Sequence, residues 1–224
     1  MANPLPLRMA TVAKHDKPTA SPFVPARHTL PIIRKALPSC KGCHLYALAT
    51  QVVPGRGNTH ASLLLLGEQP GEQEDLQGLP FVGPAGRLLQ KALDEAGIAE
   101  DEVFMTNAVK HFKFIQRGHR RLNQNPLMSE ITACRPWLLA ELDALKPKVI
   151  LCLGASAAKS LHGSAFALMR DRGKILATPY AEHVIATIHP SAVLRAWNDE
   201  IRHTLYDHLR NDLKAAYRFA QKAG

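Results

Sequence analysis

Several short apolar runs in this chain are closed by residues that could do chemistry. Ser62–Leu66 leads into Gly67-Glu68-Gln69-Pro70-Gly71, Val103–Val109 carries Asn107 near its end and runs on into Lys110-His111, and His183–Ile188 leads into His189-Pro190-Ser191. A carboxylate and an imidazole can move protons at a bound ligand, and an amide offers a donor and an acceptor side by side. The glycine- and proline-rich stretch from Gly67 to Gly86 fixes a tight backbone that a ligand can approach closely. It lacks the Gly-Lys-Ser/Thr ending of a phosphate loop. A second constellation is Cys40-Lys41-Gly42-Cys43. In a reducing compartment such a pair reads as a metal site or a redox pair more readily than as a structural disulfide.

Those runs, with Lys148–Leu153 before Gly154, have the length and composition of buried parallel strands. Helical patterns lie between them. Ala85–Ala96 places Ala85, Leu88, Leu89, Ala92, Leu93 and Ala96 on one face and stops at Gly97. Further helices are expected over Ser129–Leu145, with Pro136 early in it or kinking it, over Ser156–Leu161, and over Ile201–Ala220. Strands alternating with helices imply an α/β fold, a three-layer α/β/α sandwich around a mostly parallel four-stranded sheet. Ligands of such sheets bind at the carboxyl ends of the strands. Glu68, Asn107 and His189 should therefore converge on one rim. Residues 1–28, rich in proline and poor in periodic pattern, are read as a flexible tail, and 29–224 as one domain.

Hydrophobic residues make up 46% and charged residues 21%. No run has the roughly 18–20 apolar residues of a membrane span, and the N-terminus lacks a secretory pattern, so the expected compartment is the cytoplasm. A monomer is assumed. The formal charge of +9 points to a polyanion, nucleic acid first. From Val103 to Ser129 there is no acid, while Lys110, Lys113, Arg117, Arg120 and Arg121 are interleaved with Phe112 and Phe114. This reads as a phosphate-contacting segment.

Taken together, the Gly67–Gly86 loop, Asn107 and His189-Pro190-Ser191 resemble the iron–sulfur uracil-DNA glycosylases. The GEQPG opening, Asn-Ala-Val-Lys-His-Phe-Lys-Phe and Ala-Cys-Arg-Pro-Trp-Leu look like the subgroup called UdgX, and the resemblance covers residues 38 to 218. It implies a uracil-DNA glycosylase-like fold and excision of uracil from DNA. Glu68 would position a water or stabilise the cationic sugar, with Gln69 as a nearby polar contact. Gly67, Phe81, Asn107 and His189 would hold the base, with Phe81 stacking on it and His189 donating to its O2. Lys110, Arg120, Arg121, Asn123, Ser191 and Arg195 would contact DNA, Arg195 filling the gap left by the flipped base.

The same resemblance places a third cluster ligand four residues after the base-reading asparagine, here His111, and a fourth at the start of the next helix, here Cys134. Cys40, Cys43, His111 and Cys134 would then hold a 4Fe–4S cluster of mixed ligation. Cys152, inside an apolar run, is the rival ligand, and zinc the rival metal. UdgX proteins carry a Lys-Arg-Arg-Ile-His loop whose histidine attacks the sugar and leaves the enzyme joined to DNA. Here the stretch is His119-Arg120-Arg121-Leu122-Asn123, and an amide is a poor nucleophile. Excision with turnover is therefore expected rather than covalent trapping. The alternatives are a trapping protein, a non-catalytic uracil or abasic-site sensor, and another base specificity. A generic nucleotide binder is disfavoured by the absence of a GxGxxG loop.

Overall fold

The structure, a computed structural model, describes residues 17–176 and 178–222. In chain order the strands are β1 (Arg56–Gly57), β2 (Leu63–Gly67), β3 (Val103–Asn107), β4 (Phe114–Arg117), β5 (Arg120–Asn123), β6 (Val149–Leu153) and β7 (His183–Thr187). The helices are α1 (Leu30–Ala36), α2 (Glu72–Gln77), α3 (Pro84–Ala96), α4 (Met128–Leu145), α5 (Ala155–His162), α6 (Leu168–Asp171), α7 (Pro190–Leu194) and α8 (Asp199–Lys222).

The main sheet has the order β1-β3-β2-β6-β7. Its four longer strands are parallel, and the two-residue β1 adds an antiparallel edge on β3. The run Leu63–Leu66 shows why this makes three layers. Side chains of a strand alternate between faces. Leu64 and Leu66 pack with Leu138 and Leu142 of α4 and Ala157 and Leu161 of α5. Leu63 and Leu65 pack with Leu89 and Leu93 of α3 and Leu209 and Leu213 of α8. Both faces are thus covered, and each fully buried leucine contributes about 1.5–3 kcal/mol relative to exposure. Gly97 ends α3 in the left-handed region with φ 74°, as its place after the apolar pattern implies. Pro136 lies inside α4 without ending it.

Two features differ from the sequence reading. The basic stretch after β3 is no open loop: β4 and β5 pair antiparallel, with Phe114 opposite Asn123 and Arg117 opposite Arg120. Gly118, at φ 59°, supplies the tight turn. The segment assigned to a tail also differs in part. Residues 1–16 lie outside the described residues. Ala20, however, is buried, and its N–H donates to Ala133 O of α4 at 2.8 Å. Ala20, Ile33, Leu37, Cys40, Cys134 and Trp137 form a third, smaller apolar cluster. The packed domain thus starts before residue 29.

Candidate active site

The rim predicted from the strand ends is a cleft of about 550 Å³, and Glu68, Asn107 and His189 all line it. Parallel register places them there: Gly67 of β2 pairs with Asn107 of β3, and β7 delivers His189 two residues past its end. The loop carrying Glu68 is tied down by Ala108 N–H to Gly67 O and Val109 N–H to Glu68 O, both 2.9 Å.

Close packing fixes the floor. A Cβ on Gly67 would stand 2.1 Å from Asn107 Oδ1 and 2.7 Å from the Phe81 ring, so any larger residue there would have to push these side chains back. Phe81 itself takes φ 57°. That left-handed conformation costs a non-glycine residue roughly 1–2 kcal/mol, and the surroundings hold it in place. Gly86 backs directly onto Phe81, where a Cβ would come within 2.0 Å of the Phe81 carbonyl. Glu74 Oε1 accepts from Gly83 N–H at 2.9 Å and braces the same loop.

His189 caps α7. Its Nδ1 accepts the Ser191 N–H at 3.0 Å, with Ser191 Oγ 2.7 Å away. Because Nδ1 is the acceptor, the proton of the neutral ring sits on Nε2. Burial, helped by the charge of Arg195, pulls the imidazole down to about 4, so the ring is neutral at physiological pH. Burial pushes the Glu68 carboxyl up, against a hydrogen bond from Ser156 and the charge of Arg195. Ser156, on α5, escaped the sequence reading. Nothing in its local sequence reports that β6 and α5 bring it beside Glu68.

The remaining predicted residues divide. Asn123, Ser191 and Arg195 line the cleft with the three central groups. Gln69 also lines it, but its amide is committed to the hairpin. Nε2 donates to Asn123 Oδ1 at 2.6 Å and Gln124 O at 2.9 Å, and Oε1 accepts Lys113 N–H at 3.2 Å. It therefore clamps the hairpin base and is not free to act on a ligand.

Lys110, expected on DNA, is fully buried. Its Nζ lies 2.6 Å from Glu141 Oε2 and also donates to Thr106 Oγ1 and Asn107 O. Such a charge is too costly to leave unpaired, and it serves the backbone of Asn107 rather than a phosphate. Arg121 is likewise engaged, with Asp75 at 2.6 Å and Glu72 at 3.2 Å, above the rings of Phe112 and Phe114. Arg117 and Arg120 stay exposed and carry no ion pair among the described residues.

Cys40 and Cys134 share the third apolar cluster, with Cys43 packed against it. The three thiols lie near enough to oppose one another's ionisation. Cys134 is pushed up to about 12 by burial, and its sulfur accepts the Lys110 N–H at 3.3 Å. A thiol so buried becomes a thiolate readily only against a metal. His111 lines a second cleft together with Cys40, and burial holds its ring neutral, near 4. Cys152 lies apart, on β6 in the core beneath α4 and α5. Among the described residues no three or more His, Cys, Asp or Glu close on a single metal ion. No helix among them is long and apolar enough to cross a membrane.

An open parallel sheet with its crevice at a rim of strand ends is the layout of a ligand-handling α/β protein. Sequence comparison narrows that class. The chain matches the uracil DNA glycosylase superfamily over residues 54–214 and belongs to it. A Type-4 uracil-DNA glycosylase of Sulfurisphaera tokodaii is 39% identical over 181 residues, 77% of this chain and 78% of the relative. One from Thermotoga maritima is 34% identical over 194 residues, 86% of this chain and 95% of the relative. One from Saccharolobus solfataricus is 33% identical over 189 residues, 81% and 83% respectively.

Proposed function

We propose that this protein is a uracil-DNA glycosylase that flips uracil from DNA, hydrolyses its N-glycosidic bond and turns over. The observation that carries the reading is the sharing of one cleft by Glu68, Asn107 and His189. Asn107 offers the donor and acceptor that the uracil edge requires, and Phe81 offers a stacking face. As the bond to the sugar lengthens, negative charge builds on the base. A neutral His189 with its proton on Nε2 can donate to the uracil O2 without a prior proton uptake. Positive charge builds on the sugar at the same time. Glu68 opposes it and orients the attacking water, its raised affinity for protons suiting the role of base.

Turnover is supported by the hairpin. Asn123, at the position of the UdgX cross-linking histidine, lines the cleft, with its amide held by Gln69. His119 sits exposed at the turn, at the far end of β5. Four residues of strand are roughly 13 Å, too far for it to substitute. Arg117, Arg120 and Arg195 are the cations best placed to meet phosphates.

Cys40, Cys43, Cys134 and His111 are proposed to hold a 4Fe–4S cluster. Thiolates favour such a group, a cubane spaces its ligands more widely than a single zinc ion does, and a backbone N–H to sulfur bond is the usual company of cluster cysteines. The cluster would be structural, tying the segment around Ala20 and α1 to α4. Isolated protein should be brown, and chelation should bleach it.

The reading is tested by incubating the protein with a uracil-containing oligonucleotide and resolving free base, alkali-cleavable abasic DNA and denaturation-resistant adduct. Free uracil in molar excess over protein, without adduct, is expected. Stoichiometric adduct would overturn turnover. Binding without base release would favour the sensor.

A further inference from the structure

The cleft leaves one prominent aromatic unused. Trp197 is 82% exposed, whereas Trp137, the other tryptophan, is 0% exposed. A single exposed apolar side chain is ordinary on a protein surface; the place and the mounting of this one are not. His189 caps α7, Arg195 just beyond that helix lines the cleft, and Trp197 follows two residues later, at most about 7 Å along the chain.

The backbone on either side of it is tied. Arg195 N–H donates to Ser191 O and Ala196 N–H to Val193 O, both at 3.2 Å. Ala196 O accepts from Arg202 Nη2 at 3.5 Å. Asn198 Oδ1 accepts the Ile201 N–H at 2.8 Å and caps the first turn of α8. The indole is thus displayed from a braced loop, so little backbone ordering remains for a partner to impose.

Every nucleobase presents a π-face, and stacking on a protein aromatic is tolerant of sequence. A strand from which one base has been flipped exposes the face of the neighbouring base. We propose that Trp197 stacks on the nucleobase next to the flipped nucleotide and holds the strand at the cleft. This rests on the glycosylase reading and adds to it a strand contact outside the base pocket.

The test uses wild-type protein and a dye-labelled single-stranded oligonucleotide carrying 2′-fluoro-2′-deoxyuridine, whose glycosidic bond resists cleavage. Anisotropy reports binding, while tryptophan emission and its quenching by acrylamide report Trp197. Emission should fall, and acrylamide access should be lost, in step with binding. The emission of Trp197→Phe, which keeps only Trp137, should stay unchanged. Trp197→Ala should bind about tenfold more weakly and raise KM on a cleavable oligonucleotide by a similar factor. It should leave kcat and inhibition by free uracil unchanged, and Trp197→Phe should recover most of the binding.

Binding by anisotropy with no change at Trp197, or Trp197→Ala binding like wild type, overturns the proposal and leaves uracil excision standing. Loss of free-uracil inhibition in Trp197→Ala overturns it too, because the residue would then be supporting the pocket. Failure of the wild type to bind or excise overturns both readings together.

Discussion

Replacing Gly67 with alanine puts a methyl group against Asn107 and Phe81, two side chains that line the cleft. The added carbon would stand 2.1 Å from Asn107 Oδ1 and 2.7 Å from Phe81 Cζ, whereas ordinary van der Waals contact starts at 3.4 Å. The Asn107 amide would have to retreat by about 1.3 Å to restore contact distance. Asn107 is buried at the end of a paired strand, and Lys110 holds its carbonyl, so the movement must come from its side chain. A displacement near 1 Å in a positioning group can cost about 100-fold in rate. Overpacking a core site costs about 1–3 kcal/mol in stability, which for a chain of this size lowers Tm by roughly 2–4 °C per kcal/mol. Gly67→Ala should therefore remain folded, melt a few degrees lower, and lose about two orders of magnitude in kcat/KM for uracil release. Single-turnover release and thermal melting measure the two quantities side by side. A folded variant that works within a few-fold of wild type would refute the proposed holding of uracil by Asn107 and Phe81.

Lys110→Met strands the Glu141 carboxylate in the core, and equilibrium unfolding in urea should show a loss of about 3–5 kcal/mol. A variant of unchanged stability would show that the pair is not closed in solution. Glu68 is pushed up and His189 down to about 4, so the acidic limb of the kcat profile should belong to Glu68 and flatten in Glu68→Gln. An unaltered limb in that variant would assign it elsewhere. The same His189 shift bears on stability: as pH falls from 6.5 towards 4 the unfolded chain takes up the proton first, so stability is full above that window and declines within it. His189→Gln should flatten this decline in unfolding measurements across the window. Removing Arg117 and Arg120 together should reduce the slope of log K against log salt on single strands by about 1.4, without altering inhibition by free uracil. An unchanged slope would remove the hairpin from the DNA interface.

What the sequence reveals and what it hides divide along physical lines. Leu63–Leu66, Val103–Met105 and Val149–Leu153 are apolar without interruption because helices cover both faces, and that signal is local. The rim follows from it, since Glu68, Asn107 and His189 need only lie at strand ends. The burial of Lys110 is not local: its partner Glu141 is supplied by α4, 31 residues away, and a lysine beside a basic run reads as surface. Arg121 misleads in the same way, because Asp75 reaches it from α2. The proline-rich start conceals the packing of Ala20, which depends on Gly42. A Cβ there would stand 2.6 Å from the Ala20 Cα, so the glycine between the two cysteines is what lets that segment close over them.

Glu68, Asn107 and His189, from three strand ends, share one cleft and are proposed to act on one base. The direct measurement is the single-turnover rate of uracil release by the wild type, Glu68→Gln, Asn107→Ala, His189→Gln and the triple variant. Groups acting as a unit lose most of the rate at the first removal. Each single variant should therefore fall by about 100-fold or more, and the triple should fall by far less than the product of the three. Rates within a few-fold of wild type for any one of them, or losses that simply multiply, would contradict a shared site.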